Sequence, residues 1–447
     1  MKRIIFSTLT ICLCSVLPNA QAQIPPALKK QISSAAAKEY TYLDKLYKYL
    51  HAHPELSFME KNTGARIADE LQKAGFAVTK NFGGYGVVGV LKNGDGPVIL
   101  VRADMDGLPV KEETGLPYAS TVVSKDAEGN EVSVMHACGH DVHMSVLVGT
   151  ARVLAGMRDK WQGTLVFVGQ PAEEKGGGAI AMLKAGLYEK FPRPHYALGL
   201  HASAALPAGS VGTCEGPALA NVDMLDIVIH GSGGHGAYPH TTKDPIVLAA
   251  QTIMALQTIV SRELSPMEAA VVTVGSIHGG TKHNIIPDDV TLQLTLRSYT
   301  DEAREKTVAA IRRITRGLAV AAGIPEEAHP EIIFRDTFVP VTYNDPELTR
   351  SLHAVFAAQI GAENTHTVAP VMAGEDFSQY GRQEPKIPIS IFWLGTVDPQ
   401  TYARAKAKGL ELPSLHSSKF APAPELTIKT GVAAMSAAAV SLLKTNK

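Results

Sequence analysis

The sequence predicts an α/β fold, a mostly parallel sheet flanked by helices, with a second and smaller α+β domain inserted into it. Two kinds of strand pattern, and their order, predict this. Between residues 87 and 218 continuous apolar runs alternate with helical patterns, as in a sheet buried on both faces. From about 219 to 336 the strand runs alternate apolar with polar residues, as in an antiparallel sheet with one open face, and after 337 the first pattern resumes. At 447 residues the chain also exceeds the roughly 250–300 at which a single core usually stops growing.

The elements follow in order. Lys2 and Arg3 precede an apolar run, Ile4 to Leu17, that leads to Ala20-Gln21-Ala22. This order of charge, apolar core and small residues predicts a cleavable signal peptide over residues 1–22. The run is shorter than the roughly 20 residues that span a bilayer, and neither Cys12 nor Cys14 follows the small residue expected at a lipoprotein cleavage site. The expectation is a mature protein that begins near Gln23, is free of the membrane, and is periplasmic or secreted. Loss of Lys2 and Arg3 takes the formal net charge from −1 to −3. With no basic surplus and no long charge run, no nucleic-acid partner is expected. Cleavage leaves Cys138 and Cys214 in a compartment where thiols oxidise, so a disulfide between them is the plain alternative to a chemical role for Cys138.

Helical spacing of Leu43, Leu46, Leu50, Ile67 and Leu71 follows over 36–75, with His51 and His53 between. Strand-like runs at 87–91, 98–104 and 164–170 alternate with helical patterns at 144–157 and 178–187, completing a first part over 23–218. The inserted unit, 219–336, carries strand patterns at 224–231, 269–279 and 290–299 and helical patterns at 243–262 and 301–322. A second part of the first domain, 337–447, adds a helix at 345–360, a strand at 387–395 and a closing helix at 425–443. In sheets of this class chemistry collects at the carboxyl ends of the strands.

The stretch MHACGHDVH, 135–143, puts three histidines, a cysteine and an aspartate within nine residues. Cys138 and His140 are two apart and can point at one centre, and His143 lies a helical turn beyond; thiolate with imidazole favours zinc-like ions. Asp104 and Asp106 stand two apart just past an apolar strand, where carboxylates also serve simply to bind backbone amides. Glu173 and Glu174 end the run TLVFVGQ before a glycine-rich helix start. Their side chains diverge, so one can bind a metal while the other acts as a base, although an acidic first turn also suits the helix dipole. His201 ends YALGLH and His416 sits in LPSLHSSKF, and each alone reads as structural. In the inserted unit His235 lies in the glycine-rich GSGGHGAYPH, where it could stabilise an oxyanion. Asn284 and Arg297, read as lying in facing strands, could hold a carboxylate.

The ordered series ADMDGLP, HACGHDVH, QPAEE, GLH, GGHGAYPH, NIIPD, AGEDF and LHSSKF spans nearly all of the expected mature chain. It resembles the M20 metallopeptidase and aminoacylase family, in the amidohydrolase branch of hippurate hydrolases, N-acyl-amino-acid deacylases and auxin-conjugate hydrolases. The resemblance implies metal ligation by Cys138, His140, Glu174, His201 and His416, with Glu173 as general base. Five ligands exceed the usual three of one catalytic zinc, so two divalent ions per subunit are implied, zinc or manganese, with cobalt and nickel as further candidates. Asp104, Asp106 and Glu375 are then expected behind the ligands, the last beside Asp376. Many relatives of the family have a histidine where this chain has Asp104, a departure that leaves the roles of both aspartates open.

In this reading the second unit is a lid and dimerisation domain. Glu173 takes the proton of the attacking water and passes it to the leaving amine, and His235 stabilises the oxyanion, across a dimer if need be. Asn284 and Arg297 grip the carboxylate of an N-acyl amino acid or short peptide, and the protein is a homo-oligomer, dimer or higher. The rivals are a carboxypeptidase or dipeptidase, a metal-binding protein without turnover, and an enzyme with Cys138 as nucleophile.

Overall fold

The computed structural model describes residues 24–335 and 338–445. The expected signal peptide lies outside the described residues, as do Asp336 and Thr337, where the inserted unit is expected to end. Among the described residues no helix is long and apolar enough to cross a membrane. Cys138 and Cys214 are both buried and free, which excludes the disulfide.

The main sheet is mixed, with a parallel centre. Its central strands run Trp161–Gln170, Val98–Asp104, Tyr196–Pro207, Ile389–Val397, each parallel to the next. Antiparallel strands Val87–Asn93 and Val211–Thr213 extend it on either side. The strand Val98–Asp104 shows why its sequence is an unbroken apolar run. Ile99, Val101 and Ala103 enter the core shared with the helices Pro26–Ala52, His140–Ala155 and Pro424–Leu442, while Leu100 enters a second core with Val166, Phe377 and Tyr380 on the other face. Both faces are covered, so both sets of side chains are apolar. The opening helix is placed by the same logic: Pro26 stands at its start, where its missing N–H costs nothing, and Leu43, Leu46 and Leu50 line its buried face.

A second, four-stranded antiparallel sheet has the order Ala270–His278, Asp289–Ser298, Asn221–His230, Glu331–Phe334. Leu225, Ile227, Ile229, Leu292 and Leu294 turn one face onto the helices Pro245–Thr258 and Asp301–Ala321, and Met224, Gln293 and Arg297 stand on the other. Asp244 and Thr300 cap those helices by accepting from the backbone N–H groups of Ile246 and Ala303. The two connections to the main sheet bond to each other, since Val222 and Val339 exchange backbone hydrogen bonds of 2.8 and 3.2 Å. The short strand Glu331–Phe334 and the helix Pro399–Lys408 are elements that the sequence pattern does not predict.

Candidate metal centre

Five chain segments converge beyond the carboxyl ends of the central strands. Val98–Asp104 delivers Asp104 and, two residues on, Asp106; Trp161–Gln170 runs through Pro171 and Ala172 into Glu173 and Glu174. Cys138 precedes Gly139, whose φ of 83° turns the chain into the helix that starts at His140. A side chain there would also meet the Cβ of Ala202 at 2.8 Å, so glycine is required twice over. His416 comes from the loop before the last helix and itself holds a left-handed φ of 65°. His201 departs from expectation: its strand continues to Pro207, so it sits mid-strand, paired with Trp393, and not at a strand end.

These segments bring the donor atoms together. The Sγ of Cys138 lies 3.2 Å from the Nε2 of His416 and 3.5 Å from the Nε2 of His201. Glu174 Oε1 is 3.6 Å from His416 Nε2 and 3.8 Å from His140 Nε2, and Glu173 Oε2 is 3.9 Å from the latter. Outward contacts leave the inward nitrogens free to coordinate. His140 Nδ1 donates to the backbone oxygen of Asp106 at 2.8 Å, and His201 Nδ1 to that of Ala202 at 2.8 Å, which presents Nε2 of each as a lone pair. His140 Nε2 and Glu174 Oε1 are buried without a protein hydrogen-bond partner. Such atoms are costly unless something else binds them. His143 is excluded from this set because both of its nitrogens are engaged, Nδ1 with Asp104 at 2.5 Å and Nε2 with the N–H of Ala202 at 2.8 Å.

The electrostatics also call for cations. Burial pushes the Glu173 carboxyl far up, with Glu375 and Glu174 adding to it. Burial raises Glu174 to about 7 against the pull of His140. The Cys138 thiol is pushed up by burial and by Glu174 and Glu173. Burial and His143 hold His201 down to about 3, so its ring is neutral and able to ligate. One thiol, three imidazoles and a glutamate pair suit ions of borderline character.

Behind these atoms lies a frame that sequence reading largely misses. Arg102, fully buried, donates to Asp104 at 2.7 Å, to Glu375 at 2.8 Å, to Asp376 at 3.0 Å and to Gln170 at 2.8 Å. Its only trace in the sequence is one cation inside the apolar run VILVRAD. Asp106 accepts from the backbone N–H groups of Glu173 and Glu174 at 3.1 and 3.0 Å and from Ser57 at 2.6 Å, so it sets the turn that carries the glutamate pair. His51 is held between Asp141 at 2.6 Å and Glu112 at 3.0 Å, tying the first helix to the residue after His140.

The residues singled out in the inserted unit do not join this cluster. His235 is exposed, in a two-residue ladder with Ile285, and its Nδ1 accepts from the N–H of Ala237. Asn284 occupies the turn before Ile285, where its backbone oxygen accepts from Gly236 at 2.9 Å. The expected facing-strand pair is therefore corrected: Asn284 backs the His235 loop, while Arg297 lies on a strand of the four-stranded sheet, opposite Val222. The Arg297 guanidinium reaches Gly374, lying 3.4 Å from where a Cβ would stand, and has no hydrogen-bond partner among the described residues. Among the described residues no hydrogen bond or ion pair links His235 or Asn284 to the centre.

A parallel sheet whose strand ends gather thiol, imidazole and paired carboxylates defines a metal-dependent hydrolase. The profile of Peptidase family M20/M25/M40 matches residues 100–416. Thermostable carboxypeptidase 1 of Saccharolobus solfataricus is 37% identical over 375 residues, 83% of this chain and 88% of that protein. Hippurate hydrolase of Campylobacter jejuni is 38% identical over 339 residues, 75% of this chain and 83% of that protein. The solved structure of the Bacillus subtilis YXEP protein, described as a dinuclear metal binding peptidase from the M20 family, superposes with a TM-score of 0.71 at 32% identity, covering 91% of this chain and 99% of that one. The chain belongs to the M20 family, in its amidohydrolase branch, and is an M20-type hydrolase of linear amide or peptide bonds.

Proposed function

We propose that this protein hydrolyses the amide bond of N-acyl amino acids of the hippurate kind at a two-ion centre held by Cys138, His140, Glu174, His201 and His416. The observation that carries the reading is the pair of buried, unpartnered donors, His140 Nε2 and Glu174 Oε1, converging on the Cys138 thiol beside Glu173. Zinc or manganese, with cobalt and nickel as further candidates, would supply Lewis acidity and lower the pKa of water there. Glu173 takes the proton of the attacking water and delivers it to the leaving nitrogen. Its burial beside Glu375 and Glu174 raises its affinity for that proton, as a base working near neutral pH requires. Asp106 fixes the backbone of Glu173, and Arg102 holds Glu375 in place behind it.

Arg297, half-buried with free donors, is suited to grip the substrate carboxylate. His235 and Asn284, adjacent on one exposed loop, form a unit suited to stabilising an oxyanion brought to them, with a second copy of the chain as the supplier. An exposed apolar face supports such a homodimer. Ile246, Val247 and Met254 project from the helix Pro245–Thr258, and Ile277 from the open edge strand Ala270–His278. The Lys2–Ala22 pattern supports export to the periplasm or beyond, which a mature N-terminus at Gln23 in that fraction would test.

The deciding experiment is turnover of hippurate, N-acetyl amino acids and carboxyl-terminal dipeptides by chelator-stripped protein with each metal restored, beside Glu173→Gln. The expected result is metal-restored hydrolysis of the N-acyl amino acids and a loss of about 10³-fold in kcat for the variant, with metal still bound. Preference for dipeptides would move the activity to a carboxypeptidase. Metal binding without turnover of any substrate would overturn it.

A further inference from the structure

A turn next to the glutamate pair, tied to the frame by Ser57, carries two side chains, Phe58 and Met59, that neither the metal centre nor its frame uses. Phe58 and Met59, consecutive on the loop between the first two helices, are 47% and 46% exposed. Phe58 has a left-handed φ of 64°, a conformation in which a bulky side chain is a genuine outlier and which glycine would adopt freely. The fold sustains it with buried hydrogen bonds on both sides. Ser57 donates to Asp106 at 2.6 Å, and one oxygen of the fully buried Glu60 accepts from the N–H of Phe58 at 2.9 Å and from the N–H of Ala172 at 2.7 Å. Ala172, the residue before Glu173, is itself left-handed with φ 51°. The loop is thus bolted to the glutamate turn at both of its ends, through Asp106 and through Ala172. Between the bolts the Phe58 ring lies over Gly177, where an added Cβ would come within 3.0 Å of it.

A phenyl ring left half in solvent, on a backbone conformation that glycine would adopt without cost, does more than pack over Gly177. Outliers of this kind are sustained where a site needs them. We propose that the Phe58–Met59 turn is the acyl-specificity element of this enzyme, the phenyl ring with Met59 beside it receiving the apolar acyl group of an N-acyl amino acid whose amide reaches Glu173. The proposal rests on the reaction proposed above and adds the part of the substrate that this reaction leaves open. Flat contact with a ring and a thioether favours aromatic and long aliphatic acyl groups over acetyl.

The test is kcat/KM of the metal-loaded enzyme for N-acetyl-, N-octanoyl- and N-benzoylglycine, in wild type, Phe58→Gly, Phe58→Leu and Met59→Ser. Glycine suits the backbone at position 58 but removes the packing over Gly177 and loosens the unfolded chain, so the melting temperatures of Phe58→Gly and Phe58→Leu are read beside the kinetics to separate contact from folding. The expected result is that Phe58→Gly loses about tenfold or more for the benzoyl and octanoyl substrates, mainly through KM, while N-acetylglycine changes by about twofold at most. Phe58→Leu should recover the octanoyl substrate better than the benzoyl one. Equal changes for all three substrates, or none, in a folded and active Phe58→Gly would overturn the inference and leave the reaction standing. Failure of wild type to cleave any of the three would overturn both.

Discussion

The centre built from Cys138, His140, Glu174, His201 and His416 and the loop that carries His235 are organised in opposite ways. In the first, Cys138, His140 and His201 are buried and Glu174 nearly so, with His416 exposed at the rim, and much of the set is held from behind: His140 by the Asp106 carbonyl, the glutamate pair by the Asp106 carboxylate, Asp104 and Glu375 by Arg102. In the second, His235 is exposed and its ring accepts from the N–H of Ala237, with the Asn284 turn bonded to Gly236 beside it. The difference separates two kinds of functional residue. On the proposed function, groups that hold fixed geometry are interlocked by the fold, whereas His235, proposed to act on a substrate brought to it by a second copy, is left on a surface. Mutations should then divide the same way, the buried set costing stability together with activity and the loop costing activity alone.

The largest such effect is expected at Arg102. Arg102→Met removes the buried cation that Asp104, Glu375 and Asp376 share, a loss of about 3–5 kcal/mol that chemical denaturation would read. An unchanged denaturation midpoint would show that the frame does not bear on folding. Next comes His235→Ala, for which kcat should fall about 10²-fold with the melting temperature unchanged. A drop in melting temperature would erase the contrast between the two regions. The third is a pH effect at His51. Burial works against its charge, but the hydrogen bonds to Asp141 and Glu112 more than restore it and raise its pKa from 6.5 to about 10. Because the folded value is the higher one, its contribution is complete below about pH 6.5 and is lost as pH rises towards 10. Unfolding free energy measured at pH 6 and at pH 9.5 should therefore converge in His51→Gln relative to wild type.

The same contrast explains what the sequence made legible. Asp104, Glu173 and Glu174 stand out because each follows an apolar run that says where a strand ends, and Cys138 and His140 because so many donor side chains fall within 135–143. Arg102 is hidden because it lies inside such a run; three of its four acceptors, Gln170, Glu375 and Asp376, are distant in sequence, and Asp104 two residues on does not by itself mark it as a partner. His201 was misplaced by its neighbours, since the polar and small residues after it, Ser203 and Ala204, look like a strand end although pairing with Ile389–Val397 carries the strand on. Sequence alternation gives the face of a residue but not which strand lies beside it, so it does not separate the Asn284 turn from a strand facing Arg297. Phe58 leaves no mark in the sequence, as nothing local reports a left-handed φ at a phenylalanine.

The central claim is that the buried, unpartnered donors of this centre are the ligands of two ions. Its most direct test is calorimetric titration of chelator-stripped wild type, Cys138→Ala and His140→Ala with zinc and with manganese, checked by elemental analysis. Two ions per chain are expected in wild type and fewer in both variants. One ion or none in wild type, or two retained by either variant with unaltered affinity, would contradict it.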